Sequence, residues 1–125
     1  MGIGTNQLRK IKTDTGYRID IEALKQQIEK DISQGYRPFC VVGISGTVNT
    51  GAIDDLDALA DIAQKHQMWF HIDGAYGGLA SALDSLKHYY KGMERADSIA
   101  LDFHKWLYQP FEVGCAIFKD WSSLR

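Results

Sequence analysis

Three short segments in the sequence combine small, polar and ionisable residues directly after apolar runs. They are Ser45-Gly46-Thr47, Asp73-Gly74-Ala75 and His104-Lys105-Trp106. Asp73 and Lys105 are the pair that most needs an account. A carboxylate and an amine brought together in a partly buried site form either a salt bridge or a functional acid and nucleophile, and the residues alone leave both readings open. A phosphate loop does not explain them, because neither GxxxxGK[ST] nor GxGxxG occurs. His71, Asp73 and His104 are the residues from which a metal site would have to be built. His71 and Asp73 belong to one strand, however, and no second cluster completes a ligand set. His66 and His88 sit in polar helical contexts and read as solvated. Arg9, Lys10 and Lys12 read as a solvated basic edge, and Tyr89 and Tyr90 as rim and core contacts.

The elements that must carry these segments alternate. Leu8–Lys12 reads as a short strand. Asp20 is an N-cap, its carboxylate placed to accept from the free amides of a first helical turn. Ile21, Leu24, Ile28 and Ile32 behind it recur on one helical face, until Gly35 and Pro38 stop the helix. Phe39–Ile44 is a nearly continuous apolar run, which predicts a strand buried on both faces. Asp54, Asp55 and Asp57 open a second helix at the end where acids suit the dipole, and Leu56, Leu59, Ala60 and Ala63 form its apolar stripe. Met68–Ile72 predicts a second strand ending at Asp73, Leu83–Lys91 a short helix stopped by Gly92, and Ser98–Phe103 and Cys115–Phe118 two more strands. Strand, helix, strand in this order implies right-handed crossovers and a mostly parallel α/β sheet with flanking helices. The last connection has no helical pattern, so the fourth strand is expected to be antiparallel to the third. In such a sheet, ligands bind beyond the carboxyl ends of the strands, where all three polar segments fall.

At these residues the sequence resembles the group II pyridoxal phosphate (PLP) dependent amino-acid decarboxylases, which have fold type I. Gly46-Thr47-Val48-Asn49-Thr50-Gly51-Ala52-Ile53-Asp54 is similar to the family's GTT-x-x-GA-x-D. His71-Ile72-Asp73-Gly74-Ala75-Tyr76-Gly77-Gly78 is similar to HVDAA-x-GG. Asp102-Phe103-His104-Lys105-Trp106 is similar to the HKW signature, with Pro110 and Gly114 at familiar spacing behind it and Gly92–Ser98 as a familiar lead-in. The three stand in order, and the likeness runs over essentially the whole chain.

The resemblance implies a role for each matching residue. Lys105 would form the Schiff base with the cofactor aldehyde, and Asp73 would pair with the ring nitrogen. Ala75 would lie against the ring, which requires a small side chain. Thr47 would hydrogen-bond near the ring's 3-oxygen or to Asp73, and His104 would lie by the phosphate or the substrate carboxylate. His71, on the same strand face as Asp73, is either a second partner of the site or a satisfied core histidine. Gly77 and Gly78 let the backbone turn tightly under the site. Asp102 stands where several animal members carry Asn, and no phosphate contact is assigned to it. Gly74 replaces the common Ala.

The implied activity is decarboxylation of an L-amino acid to the amine and CO2. Another fold type I PLP enzyme, such as a lyase or an aminotransferase-like protein, and a catalytically inert fragment are the alternatives. Family members are much longer. The resemblance therefore makes residues 1–125 part of a PLP-binding large domain, without its phosphate-cradling segment, ring-stacking histidine and small C-terminal domain. It also implies a homodimer for the full protein.

Composition sets the remaining limits. Of 125 residues, 45% are hydrophobic and 24% charged, which suits a globular protein and excludes disorder and low complexity. With 14 Lys+Arg against 16 Asp+Glu the net charge is −2, so no general attraction to nucleic acid or an anionic membrane is expected. No apolar run approaches a membrane span. Two cysteines, Cys40 and Cys115, fit a reducing compartment, and the expected location is cytoplasmic.

Overall fold

The computed structural model describes residues 4–120 and residue 122. Helix α1 (Ile21–Ser33) begins where expected: Asp20 Oδ1 accepts from Ala23 N at 2.9 Å. The Ala23 amide and the Lys12 ammonium hold the Asp20 carboxyl below its usual range. Leu24 and Ile28 are buried. Ile32, the last residue of the stripe, is exposed. Strand β1 (Cys40–Ile44) follows, then helix α2 (Leu56–His66). Asp55 caps α2, accepting from Ala58 N at 3.0 Å, while Leu56, Leu59, Ala60, Ile62 and Ala63 go into the core.

Strands β2 (Trp69–Asp73), β3 (Ser98–Asp102) and β4 (Gly114–Phe118) complete a sheet of order β1-β2-β3-β4. The first three strands are parallel, and β4 is antiparallel to β3, as the helix-free connection implied. A four-residue helix, α3 (Phe103–Trp106), continues directly from β3.

Helices α1 and α2 cover one face of the sheet. Val41, Phe70 and Ile72 point into that layer and are buried, and Leu101 is buried against Gly74 and Gly78. The opposite face of β1 is open, so the expectation of a strand buried on both faces is not met. Burial alternates along β1, and Val42 and Ile44 are 50% and 38% exposed. An apolar run on both faces reports the surroundings that the residues suit, and here helices pack on one side only. That face of the sheet carries two rows that matter for the site. One is Val42, His71, Ser98 and Phe118, and the next is Ile44, Asp73, Ala100 and Ala116.

Two further expectations are corrected. Leu8–Lys12 forms no strand. Its neighbourhood is held instead by Arg9 Nε to the buried Asp31 at 3.0 Å and by a single bridge between Thr13 and Ile19. Leu83–Lys91 is not one helix. The connection from β2 to β3 is a series of 3-10 turns, Gly78–Ala82, Lys87–Tyr90 and Met93–Arg95. The buried Tyr90 donates its hydroxyl to Gly77 O at 2.8 Å, and this folds the segment back on its own start. Gly92 (φ +93°) then lies against the first turn of α2, where a Cβ would sit 2.6 Å from Asp57 Cα. Arg95 and Lys91 secure the same contact through ion pairs to Asp57 and Asp61.

Candidate functional site

The carboxyl ends of β1, β2 and β3 bring the three polar segments to one edge. Ser45 N donates to Asp73 O at 2.9 Å, and Gly74 N to Ala100 O at 3.0 Å, so the strand ends stay in register as the chain leaves the sheet. The loop after β1 is closed on itself. Gly46 N and Thr47 N both donate to Ala52 O, and Gly51 N donates to Thr47 O. Asp54, read from sequence as one acid of the helix start, turns inward instead. Its two carboxylate oxygens accept from Ile19 N and Ile44 N, each at 2.7 Å. It therefore ties the end of β1 to the segment before α1.

Gly46 and Gly77 meet back to back, linking the first and second loops. A Cβ on either would lie 2.6 Å from the other's Cα, and Gly46 has φ +85°. Both positions therefore require a residue without a side chain. The second and third loops touch through the Tyr76 ring, packed edge-on to Trp106 with centroids 5.6 Å apart.

Asp73 is exposed at the end of β2, where Oδ1 accepts from Ala75 N at 3.1 Å. Among the described residues no cation pairs with it. The salt bridge between Asp73 and Lys105 that the sequence left open does not form. Lys105 Nζ lies 2.6 Å from Asp102 Oδ2 instead, one turn back across the start of α3. His104 is held by the residue before β4: its Nδ1 lies 3.0 Å from Val113 N and 3.1 Å from Val113 O, and its Nε2 lies 3.9 Å from Asp102 Oδ2. The Phe111 ring packs edge-on to this imidazole.

Thr47 is at the same edge, but its hydroxyl is engaged locally, 2.6 Å from the Thr50 hydroxyl and accepting from Ala52 N. It makes no contact with Asp73. Ala75 is half-buried beside Asp73. Of the other histidines, His88 is exposed as expected, in a 3-10 turn and against the Tyr89 ring, whereas His66, which ends α2, is half-buried. Among the described residues no cluster of His, Cys, Asp or Glu could hold a metal ion. No helix among them is long and apolar enough to cross a membrane.

The residues fit the cofactor named by the resemblance. Asp73 offers a carboxylate with no cation of its own, and its row continues into Ala100 and Ala116, so no bulky side chain flanks it toward β3 and β4. The amine of Lys105 stands at the neighbouring strand end.

Comparison with known proteins agrees. The family model described as the pyridoxal-dependent decarboxylase conserved domain matches residues 2–125. The chain belongs to the pyridoxal-dependent decarboxylases. An aromatic-L-amino-acid decarboxylase of Bacillus atrophaeus is 42% identical over 120 residues, which cover 96% of this chain and 25% of that protein. The glutamate decarboxylase domain of a diaminobutyrate–pyruvate transaminase and L-2,4-diaminobutyrate decarboxylase from Vibrio parahaemolyticus superposes with a TM-score of 0.94. It is 44% identical, with 99% of this chain and 27% of that one covered. The Oryza sativa TDC crystallised with PLP has a TM-score of 0.91 at 33% identity, over 98% of this chain and 26% of its own. The chain thus spans about a quarter of the length of these relatives. As in its pyridoxal-dependent relatives, the fold is that of a fold type I PLP decarboxylase, and the family's cofactor is PLP.

Three residues around the candidate site, Ser98, Val113 and Phe111, had no role in the sequence analysis, and a fourth, Asp54, was read only as an acid of the helix start. Ser98 stands out by its burial, which residue type does not reveal. Val113 acts through its backbone and leaves no trace in residue type. Phe111 sits in a loop with no periodicity.

Proposed function

We propose that the protein carrying this chain decarboxylates an L-amino acid to the amine and CO2, and that residues 1–125 are part of its PLP-binding large domain. The observation that carries the reading is the separation of two charges. Lys105 is neutralised by Asp102, while Asp73 keeps an exposed carboxylate with no cation partner among the described residues. That leaves Asp73 available for a protonated ring nitrogen. Bound PLP would supply an electron sink for the pair left on Cα as CO2 departs.

The chain's own residues then have defined tasks. Asp73 holds the ring nitrogen in its protonated state, and Ala75 leaves room for the ring. Lys105 attaches the cofactor and must first leave Asp102, since only an amine with a free electron pair attacks a carbonyl. His104 lies by the cofactor phosphate or the substrate carboxylate. Thr47 reaches the ring's 3-oxygen or Asp73 once its hydroxyl leaves Thr50. The homodimer and the cytoplasmic location implied by the family resemblance and the cysteine usage belong to the same proposal.

Borohydride reduction of the full-length protein after PLP addition tests it. The expected result is a single phosphopyridoxyl peptide containing Lys105, absent from Lys105→Ala. An adduct on other lysines with Lys105 unmodified would overturn the assignment.

A further inference from the structure

His71 is the one ionisable residue on the site-facing side of β2 that the proposed chemistry leaves without a task. It is not a passive core residue. Trp69 Nε1 donates to Ser98 Oγ at 2.8 Å, and Ser98 Oγ lies 2.7 Å from His71 Nδ1. Ser98 is buried, at 6% exposure. Its oxygen receives the indole hydrogen. Among the described residues, its own hydrogen has one acceptor in range, His71 Nδ1. The hydroxyl is therefore satisfied when it donates to a bare Nδ1, which places the hydrogen of the neutral ring on Nε2.

We propose that His71 is a positioning residue for Asp73, presented as the Nε2–H tautomer by the line Trp69–Ser98–His71. Both ends of the missing link are unmatched. Among the described residues Nε2 has no acceptor, and of the two Asp73 oxygens only Oδ1 has a donor, Ala75 N. The two side chains are next neighbours on the same face of one strand, about 6.7 Å apart along it. An imidazole and a carboxylate close that gap by leaning together or through one water. A donor on the second oxygen fixes the rotation of the carboxylate, so that it meets a ring nitrogen in one orientation. The consequence for the cofactor rests on the function proposed above, whereas the tautomer and the contact with Asp73 do not.

The test uses full-length protein labelled with 15N-histidine. Two-bond 1H–15N spectra should show His71 with a bare Nδ1 and a protonated Nε2. Ser98→Ala should turn this into a tautomer mixture. Asp73→Asn should move the His71 Nε2 resonance while the Trp69 indole signal stays in place. With PLP added, His71→Phe should weaken cofactor retention about tenfold, the scale of one lost hydrogen bond. His71→Gln, which can still offer an N–H from a similar place, should recover part of the loss; a merely structural histidine would not distinguish Gln from Phe. An Nδ1–H tautomer, an Nε2 resonance indifferent to Asp73→Asn, or cofactor retention within twofold in His71→Phe would each overturn the proposal. If His71→Phe does not fold, the wild-type and Asp73→Asn spectra decide. If wild-type protein takes no cofactor at Lys105, the functional reading fails and those same spectra still decide the role of His71.

Discussion

Replacing Asp54 by Asn changes one oxygen to an amide group and almost nothing in size, yet it should be among the costliest substitutions near the site. Asp54 is 8% exposed, and each of its oxygens accepts a backbone amide at 2.7 Å, from Ile19 and from Ile44. These are charge-assisted hydrogen bonds, worth about 1.5–3 kcal/mol each. Asn has one acceptor. Whichever way its amide is turned, one backbone N–H faces an NH2 donor and loses its bond, at about 2 kcal/mol or more. The surviving bond falls from charged to neutral, costing about 1 kcal/mol. The expected destabilisation is therefore about 3 kcal/mol. With a urea slope of about 2 kcal/mol/M, the unfolding midpoint should drop by about 1.5 M at unchanged slope. Asp55→Asn is the matched control: it makes the same chemical change one residue away at an exposed N-cap, where Asn caps as well as Asp. It should stay within about 0.5 kcal/mol of wild type. Amide exchange should quicken at Ile19 and Ile44 in the Asp54 variant. Equal midpoints for the two variants would refute the reasoning.

Two further outcomes are expected. Gly92→Ala forces a side chain into a left-handed φ of +93° and against the backbone of Asp57, so it should cost about 3 kcal/mol or more and be seen as a large fall in Tm. The Lys91 ammonium, with the Arg95 guanidinium, holds the Asp57 carboxyl below its ordinary range. A depressed folded-state value means that the contribution is present above about pH 4 and lost as pH falls through that lowered value. The Tm gap between wild type and Asp57→Asn should thus be open at pH 6 and close toward pH 2.5.

Much of this architecture was written in the residue pattern. Asp20, the apolar stripe of α1 and the strand cores gave the elements within a residue or two. The helix-free stretch before Cys115 gave the antiparallel pairing of β4. What failed depended on contacts distant in sequence. The segment from Leu83 to Lys91 has helical residues, but Tyr90 reaches Gly77 and Gly92 reaches α2, and those contacts set its path. At the site, the motifs located Asp73, Ala75, His104, Lys105 and Thr47 at one sheet edge. The pattern was silent on which charges pair there. Asp102, to which no phosphate contact was assigned, proves to be the counter-ion of Lys105. Ser98 could be ranked above other serines only once its register opposite His71 was known.

The contact between Gly46 and Gly77 has a consequence for how this site can vary over generations. Most tight contacts can be renegotiated, because one partner shrinks when the other grows. Here each partner is already the smallest residue there is, so neither position can compensate for a change in the other. These two positions are in that sense locked as a pair, and variation in the first two loops must enter at their other residues.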